Sequence, residues 1–294
     1  IANELFLIRS IMILFLNKKR MKNHCHNTDF EILFSTMNRD SLEFLNQMFI
    51  YESYESFNLL IINQTTEGQL LVSNSPNVRV INSFEKGLSN SRNLALKNAI
   101  GHLCLIADDD VVYAKGFKAL IVSSFETHSE SDIITFKMID SLGVDFKTYP
   151  STFIVHTRKT LQQVNSVVIA FKRQPIQTKN IYFNTLFGLG SEFQTADEYI
   201  FLRDALKVNL TLCFQPDVIL KHADYSSGQN YTSDNIIYAR AAFFYKYSGF
   251  FGYIRLIKHV IVVGFKSNLS PIQVIKKIGL GLKGIKQFKR LRNQ

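Results

Sequence analysis

Through its first half the chain alternates short apolar runs with amphipathic stretches. Glu31–Thr36 (EILFST), Phe57–Asn63 (FNLLIIN), Val78–Asn82, Leu103–Ala107 and Asp132–Ile139 have the length and apolar content of strands. Helical patterns separate them, from Asp40 to about Tyr51, from Leu88 to Ile100 with Gly101 placed as a stop, and from about Gly116 to His128. This alternation predicts a mostly parallel sheet with helices on both faces. The second half is less regular. Residues 141–175 mix short β-like pieces with turn formers, as strands or a flap over one sheet face, and Phe187–Gln194 is a glycine-bearing loop. A helix is expected over Ala196–Lys207, then short strands at Leu210–Phe214 and Val218–Leu220. The polar stretch after His222 has too many turn formers for regular structure, and from Ile236 the chain is helix-like and increasingly basic. The expected division is a leader or helix over 1–29, an α/β domain over 30–245 and a basic amphipathic region over 246–294, with a soft boundary near 246.

With 294 residues, 46% of them hydrophobic, the chain can bury a sizeable core and is not a disordered segment. Its net charge of +10 changes meaning once it is mapped. Residues 246–294 hold 11 Lys or Arg and no acid, and residues 1–22 hold five with one Glu, so the body between them is acidic. No arginine-rich aromatic platform or nucleic-acid module accompanies the charge, and no nucleic-acid partner is expected. A basic, apolar end suits peripheral contact with an anionic membrane surface, the alternative being a solvated or partner-facing helix. Three scattered cysteines (Cys25, Cys104, Cys213) suggest no disulfide framework and point to a reducing cytoplasm. The triplet His24-Cys25-His26 lacks a second ligand pair. Leu5–Leu16 is apolar but broken by Arg9, too short to span a bilayer, and followed rather than preceded by its charges. With Ile as first residue, the expectation is a start at Met12 or Met21, or an amphipathic leader.

The strand Leu103–Ala107 stops at Asp108, Asp109 and Asp110. Three adjacent carboxylates repel one another and need positive partners, and such oxygen clusters suit Mg²⁺ or Mn²⁺. In open α/β sheets ligands bind beyond the carboxyl ends of the strands, where this triplet would lie. A solvated acidic turn is the alternative on the triplet alone.

Its neighbours carry more. The stretch KGLSNSRNLALKNAIGHLCLIADDDVVY resembles the central signature of family-2 glycosyltransferases, in which a glycine and an Arg-Asn helix start lead into a strand ending in a DxD-type motif. EILFSTMNR, LLIINQTT and GLGSEFQTADEYIFLRDAL extend the resemblance, in order, over roughly residues 30–230. It implies a GT-A (nucleotide-diphospho-sugar transferase) fold: a mostly parallel, Rossmann-like central sheet flanked by helices, here with a basic helical C-terminal extension. It also implies metal-dependent, inverting transfer of a sugar from a nucleotide-sugar donor, UDP-linked, to a glycan or polyprenyl-linked acceptor. The setting would be bacterial surface polysaccharide synthesis at the inner, cytoplasmic face of the plasma membrane.

By that resemblance Asp110 and Asp108 would hold the Mn²⁺ or Mg²⁺ with His222, and Asp109 would contact the donor sugar or ribose. Ser35, Thr36 and Arg39 would hold the nucleotide. Asn63 and Gln64 stand where the family usually has a base-reading aspartate, which leaves the base open. Arg92 and Asn93 would lie near base or diphosphate, Lys86 would approach the nucleotide beside Gly87, and Gly188 and Gly190 would permit a tight acceptor-side loop. Asp197 and Glu198 occupy the family's paired-acid position in inverted order; position favours Glu198 as the base that deprotonates the acceptor, with Asp197 as competitor. The rivals are a sugar-nucleotide pyrophosphorylase, whose glycine-rich Arg- and Lys-bearing loop STMNRDS does not supply, and a non-catalytic membrane-associated scaffold.

Overall fold

The computed structural model describes residues 30–222 and 232–292. The leader expected over 1–29, the His24-Cys25-His26 triplet and residues 223–231 of the polar stretch lie outside the described residues.

A single mixed sheet organises the domain. Its strands are β1 (Phe30–Met37), β2 (Asn58–Gln64), β3 (Val78–Ser83), β4 (Leu103–Ala107), β5 (Val111–Tyr113), β6 (Ile133–Ile139), β7 (Ile154–Val155), β8 (Ile169–Lys172) and β9 (Leu212–His222). The order is β3-β2-β1-β4-β8-β6-β9-β5, with β7 on β9. The first four strands are parallel, as the alternating pattern predicts, and Ile32 lies in register with both Leu59 and Leu105. β1, β2 and β4 are apolar without alternation because both faces of a parallel sheet are covered.

Three features escape the pattern. β8 inserts antiparallel between β4 and β6 at the centre of the sheet. β5 follows the aspartates directly and pairs antiparallel with the end of β9, Val111 against His222. The two short strands expected over 210–220 are one strand, β9, whose register against β6 shifts between Thr135 and Met138, opposite the break around Pro216.

Among the described residues, five α-helices precede the C-terminal region: α1 (Glu43–Met48), α2 (Leu88–Asn98), α3 (Phe117–Thr127), α4 (Arg173–Thr178) and α5 (Asp197–Lys207). Gly101 does not cap α2, which ends at Asn98; it is required because a Cβ there would lie 2.6 Å from Cβ of Glu31. Glu31 is buried at the start of β1, opposite the site end, and accepts hydrogen bonds from Arg79 Nη2 (2.6 Å), Ile100 N (2.7 Å) and Gly101 N (3.0 Å). Cys104 and Cys213 are buried free thiols.

The C-terminal region is a helical layer of α6 (Asp234–Ser248), α7 (Phe251–Lys266) and α8 (Pro271–Leu291). Ser233 caps α6 through the Ile236 amide, and Ser270 with Gln273 forms a capping box ahead of Pro271 on α8. The boundary expected near 246 falls inside α6, which packs Ala239 and Ala242 into a core with Phe187, Phe193 and Ile200. Among the described residues no helix is long and apolar enough to cross a membrane.

Candidate functional site

The carboxyl ends of β1, β2 and β4 converge, and each aspartate of the triplet meets its own counterpart. Asp108 takes Arg92 Nη2 on both oxygens, at 2.8 and 3.1 Å. Asp109 Oδ2 receives Arg39 Nε at 2.8 Å and Nη2 at 2.7 Å, and a hydrogen bond from Thr36 Oγ1. Asp110 is the most exposed of the three, and its Oδ1 faces His222 Nε2 at 3.6 Å. That approach follows from register, since Asp110 immediately precedes β5 and His222 ends β9. Burial raises the Asp110 carboxyl; His222 opposes the shift, and Asp108 and Asp109 add to it.

Arg92 is the hub of the second half. It is buried at 3% exposure on the first turns of α2, with Nη1 on Asp197 Oδ2 at 2.5 Å and Nη2 also donating to Ser166 Oγ at 2.8 Å. Burial alone would lower its pKa, but Asp108 and Asp197 outweigh that and hold the guanidinium above its ordinary value. One cation therefore ties two acidic elements that are 89 residues apart between Asp108 and Asp197.

Asp197 and Glu198 open α5, where carboxylates complement the helix N-terminus. Asp197 is buried and paired with Arg92. Burial pushes the Glu198 carboxyl up to about 8, reinforced by the charge of Asp197 and opposed by Arg92. A carboxyl near that value is poised to exchange a proton at neutral pH.

Of the remaining expected residues, Asn63, Gln64 and Asn93 hold neighbouring main chain. Asn63, fully buried, receives Arg39 N on Oδ1 (3.1 Å) and donates to Arg39 O and Asn82 Oδ1 (3.0 Å each), so both its N–H bonds are spent ordering the turn that carries Arg39. Gln64 Oε1 accepts from Gly87 N (2.8 Å) at the start of α2. Asn93 clasps the main chain of Phe183 through both amide atoms, at 2.8 and 2.7 Å. Lys86 is exposed, and its carbonyl holds Asn90. Ser35 is buried at the end of β1 with an unpartnered hydroxyl. Two site neighbours carry no signal in the sequence. Ser166 reaches Arg92 from an irregular segment, and Lys147 lies close enough to Glu198 to feel its charge, its own pKa lowered by burial. Beside that segment a cavity of about 370 Å³ is lined by residues including Tyr149, His156, Val164 and Phe214.

The glycine loop docks on α2 as well as α5. Leu88 N donates to Leu189 O (2.9 Å) and Ser89 Oγ to Phe187 O (2.6 Å). Gly188 has φ +105°, and a Cβ there would meet Ser89 Oγ at 3.0 Å and Asp197 Cγ at 3.1 Å. Gly188→Ala is therefore expected to destabilise the protein by about 1–3 kcal/mol and to shift Asp197, lowering the melting temperature and the turnover together. Thermal denaturation and a turnover assay on the same preparation check this.

Asp110 and His222 supply a hard oxygen and an imidazole on one side only, while Arg92 occupies both oxygens of Asp108. Among the described residues no three His, Cys, Asp or Glu side chains group as a closed metal site. The donor set fits a Mg²⁺- or Mn²⁺-like ion that takes the rest of its shell from substrate phosphates and water.

A family model described as glycosyl transferase family 2 matches residues 53–198, from just before β2 to the first turn of α5. No curated protein sequence matches the chain. Among solved structures, S. aureus TarS 1-349 in complex with UDP-GlcNAc is similar with a TM-score of 0.55 at 15% identity, over 87% of this chain and 81% of that one. The UDP complex of TarS 1-349 gives 0.52 at 17% identity, over the same shares of 87% and 81%. A longer TarS structure gives 0.53 at 17% identity, over 87% of this chain and 49% of that one. At such identities the likeness is one of fold.

Proposed function

The chain belongs to glycosyl transferase family 2, and on that footing we propose that it transfers a sugar, with inversion, from a UDP-sugar to a hydroxyl of a glycan or polyprenyl-linked acceptor. The observation that carries this reading is the single buried guanidinium of Arg92. It draws the aspartate triplet and the α5 acids into one site and leaves Glu198 and Asp110 for chemistry. UDP as the carrier is supported by the two nucleotides bound in the TarS complexes.

The reaction follows from the groups present. The acceptor oxygen attacks the anomeric carbon as Glu198 takes its proton, and the bond from that carbon to the diphosphate oxygen breaks, inverting the configuration. Asp197, paired with Arg92, adjoins Glu198 at the start of α5, and its remaining negative charge raises the basicity of Glu198. Arg39, Asp109 and Thr36 form a polar patch suited to ribose or donor-sugar hydroxyls. Asp110 and His222 would hold a divalent cation, which when bound neutralises charge on the departing diphosphate. A lipid-linked acceptor would place the enzyme at the inner face of the plasma membrane, consistent with the basic C-terminal helices.

The test is nucleoside-diphosphate release across a panel of UDP-, GDP- and dTDP-sugars with Mn²⁺, Mg²⁺ or EDTA. Release of UDP that needs the metal is expected. Asp110→Asn should abolish it and remove the metal dependence of donor binding measured by calorimetry. Metal-independent release, or full activity of Asp110→Asn, would refute the assignment.

A further inference from the structure

The second helix of the C-terminal layer, α7, is apolar on both sides. Gly252, Leu256, Val260 and Val263 are buried, whereas Phe251, Ile254, Ile257, Ile261 and Phe265 face outward, with Phe251 67% and Phe265 82% exposed. The outward set recurs every three or four residues and forms one stripe along the helix. A surface helix ordinarily turns polar residues to water, so a second apolar stripe marks a contact. Ile272 and Ile275, at 67% and 69% exposure, continue the apolar surface onto the start of α8, where Val274 packs on Gly264.

Charge identifies the partner. Arg255 and Lys266 lie along one edge of the stripe and Lys258 lies within it, and Lys276, Lys283 and Lys286 are exposed on α8, while residues 246–292 contain no Asp or Glu. The stripe runs along a helix of about 24 Å at 1.5 Å per residue. An exposed apolar helix face whose only charged neighbours are cations matches a deformable anionic surface.

We propose that the α7–α8 hairpin lies in the interface of an anionic lipid bilayer, with Phe251, Ile261 and Phe265 among the acyl chains and the lysines at headgroup phosphates. The apolar stripe supplies depth and the cations supply preference for anionic lipid. The inference rests on this surface alone and stands or falls separately from the transfer reaction.

Co-sedimentation of the full chain tests it, using phosphatidylcholine vesicles with or without about one-third phosphatidylglycerol. The chain is expected to pellet with the anionic vesicles. The triple variant Phe251→Ser, Ile261→Ser, Phe265→Ser should lose about tenfold or more of its partitioning. The triple variant Lys258→Glu, Lys266→Glu, Lys283→Glu should lose the preference for phosphatidylglycerol. Circular dichroism melting checks that each variant is folded, and Phe265→Ser alone, at the most exposed position, replaces the first triple if that triple unfolds. Failure of the full chain to pellet overturns the proposal, as does unchanged pelleting of the folded apolar variant. So does a concentration-dependent dimer, abolished by Phe265→Ser, in a chain that ignores vesicles; the stripe would then belong to a second copy.

Discussion

Replacing Glu198 by Gln is expected to lower kcat by about 10²–10⁴-fold while leaving UDP-sugar affinity nearly unchanged. The amide keeps the size and the polar contacts of the side chain but cannot accept the acceptor's proton. Equilibrium binding of the donor, measured beside turnover, separates this from simple damage to the pocket. The pH profile carries a second signature. With the carboxyl raised to about 8, the base form fills only as pH climbs through that value, so kcat/KM should rise with pH and level off above it. Asp197→Asn removes the neighbouring negative charge, so the limb should move to lower pH. An active Glu198→Gln beside a dead Asp197→Asn would transfer the role of base to Asp197.

The same shift affects stability. A folded pKa above the ordinary value of 4.5 means folding favours the protonated carboxyl; that contribution is whole below about 4.5 and is lost as pH rises through about 8. Glu198→Gln, which stays neutral, should therefore gain melting temperature over the parent at pH 9 and not at pH 4.

The larger structural effect is expected at Arg92. Arg92→Met fits the space but leaves Asp197 buried without its cation and releases Asp108, which should cost about 3–5 kcal/mol and lower the melting temperature by on the order of 10 °C. Turnover should vanish, because both acidic elements lose their common anchor. Arg92→Lys keeps a charge but not the fork that reaches Asp108, Asp197 and Ser166 together, and should recover stability better than activity. The double variant Arg92→Met, Asp197→Asn removes the stranded charge and should regain part of the lost stability with no regain of turnover. Strict additivity in that cycle would mean the pair is not coupled.

Much of this was legible in the chain. β1, β2 and β4 follow from unbroken apolar runs, because each is buried on both faces, and the helices α2 and α3 from amphipathic stretches that each follow a glycine. The aspartate triplet and the Asp197-Glu198 pair stand out as charges placed where apolar runs end. Which acid does what was not legible, since it depends on a cation 105 residues before Asp197 in the chain. Asn63, Gln64 and Asn93 have side chains able to read a ligand, yet Asn63 and Asn93 bond through both amide atoms within the protein and Gln64 Oε1 holds Gly87 N. Composition reports what such groups can bond and not what they have already bonded. β8 was hidden because four residues embedded in an irregular segment carry no period, and its place in the sheet is fixed by β4 and β6 on either side.

That late insertion bears on how the nascent chain matures. Until residues 169–172 have been made, β4 offers the apolar edge LCLIA with no neighbour on one side, and β6 has nothing to join it to β4. An emerging chain would carry this open edge through some sixty residues of synthesis, a span in which edge-to-edge association competes with folding. Ser166, three residues ahead of β8, then reaches Arg92. Closing the edge and setting the guanidinium are thus successive moments of one event, so a ribosome-bound fragment ending before Ile169 should be aggregation-prone and unable to retain a nucleotide-sugar.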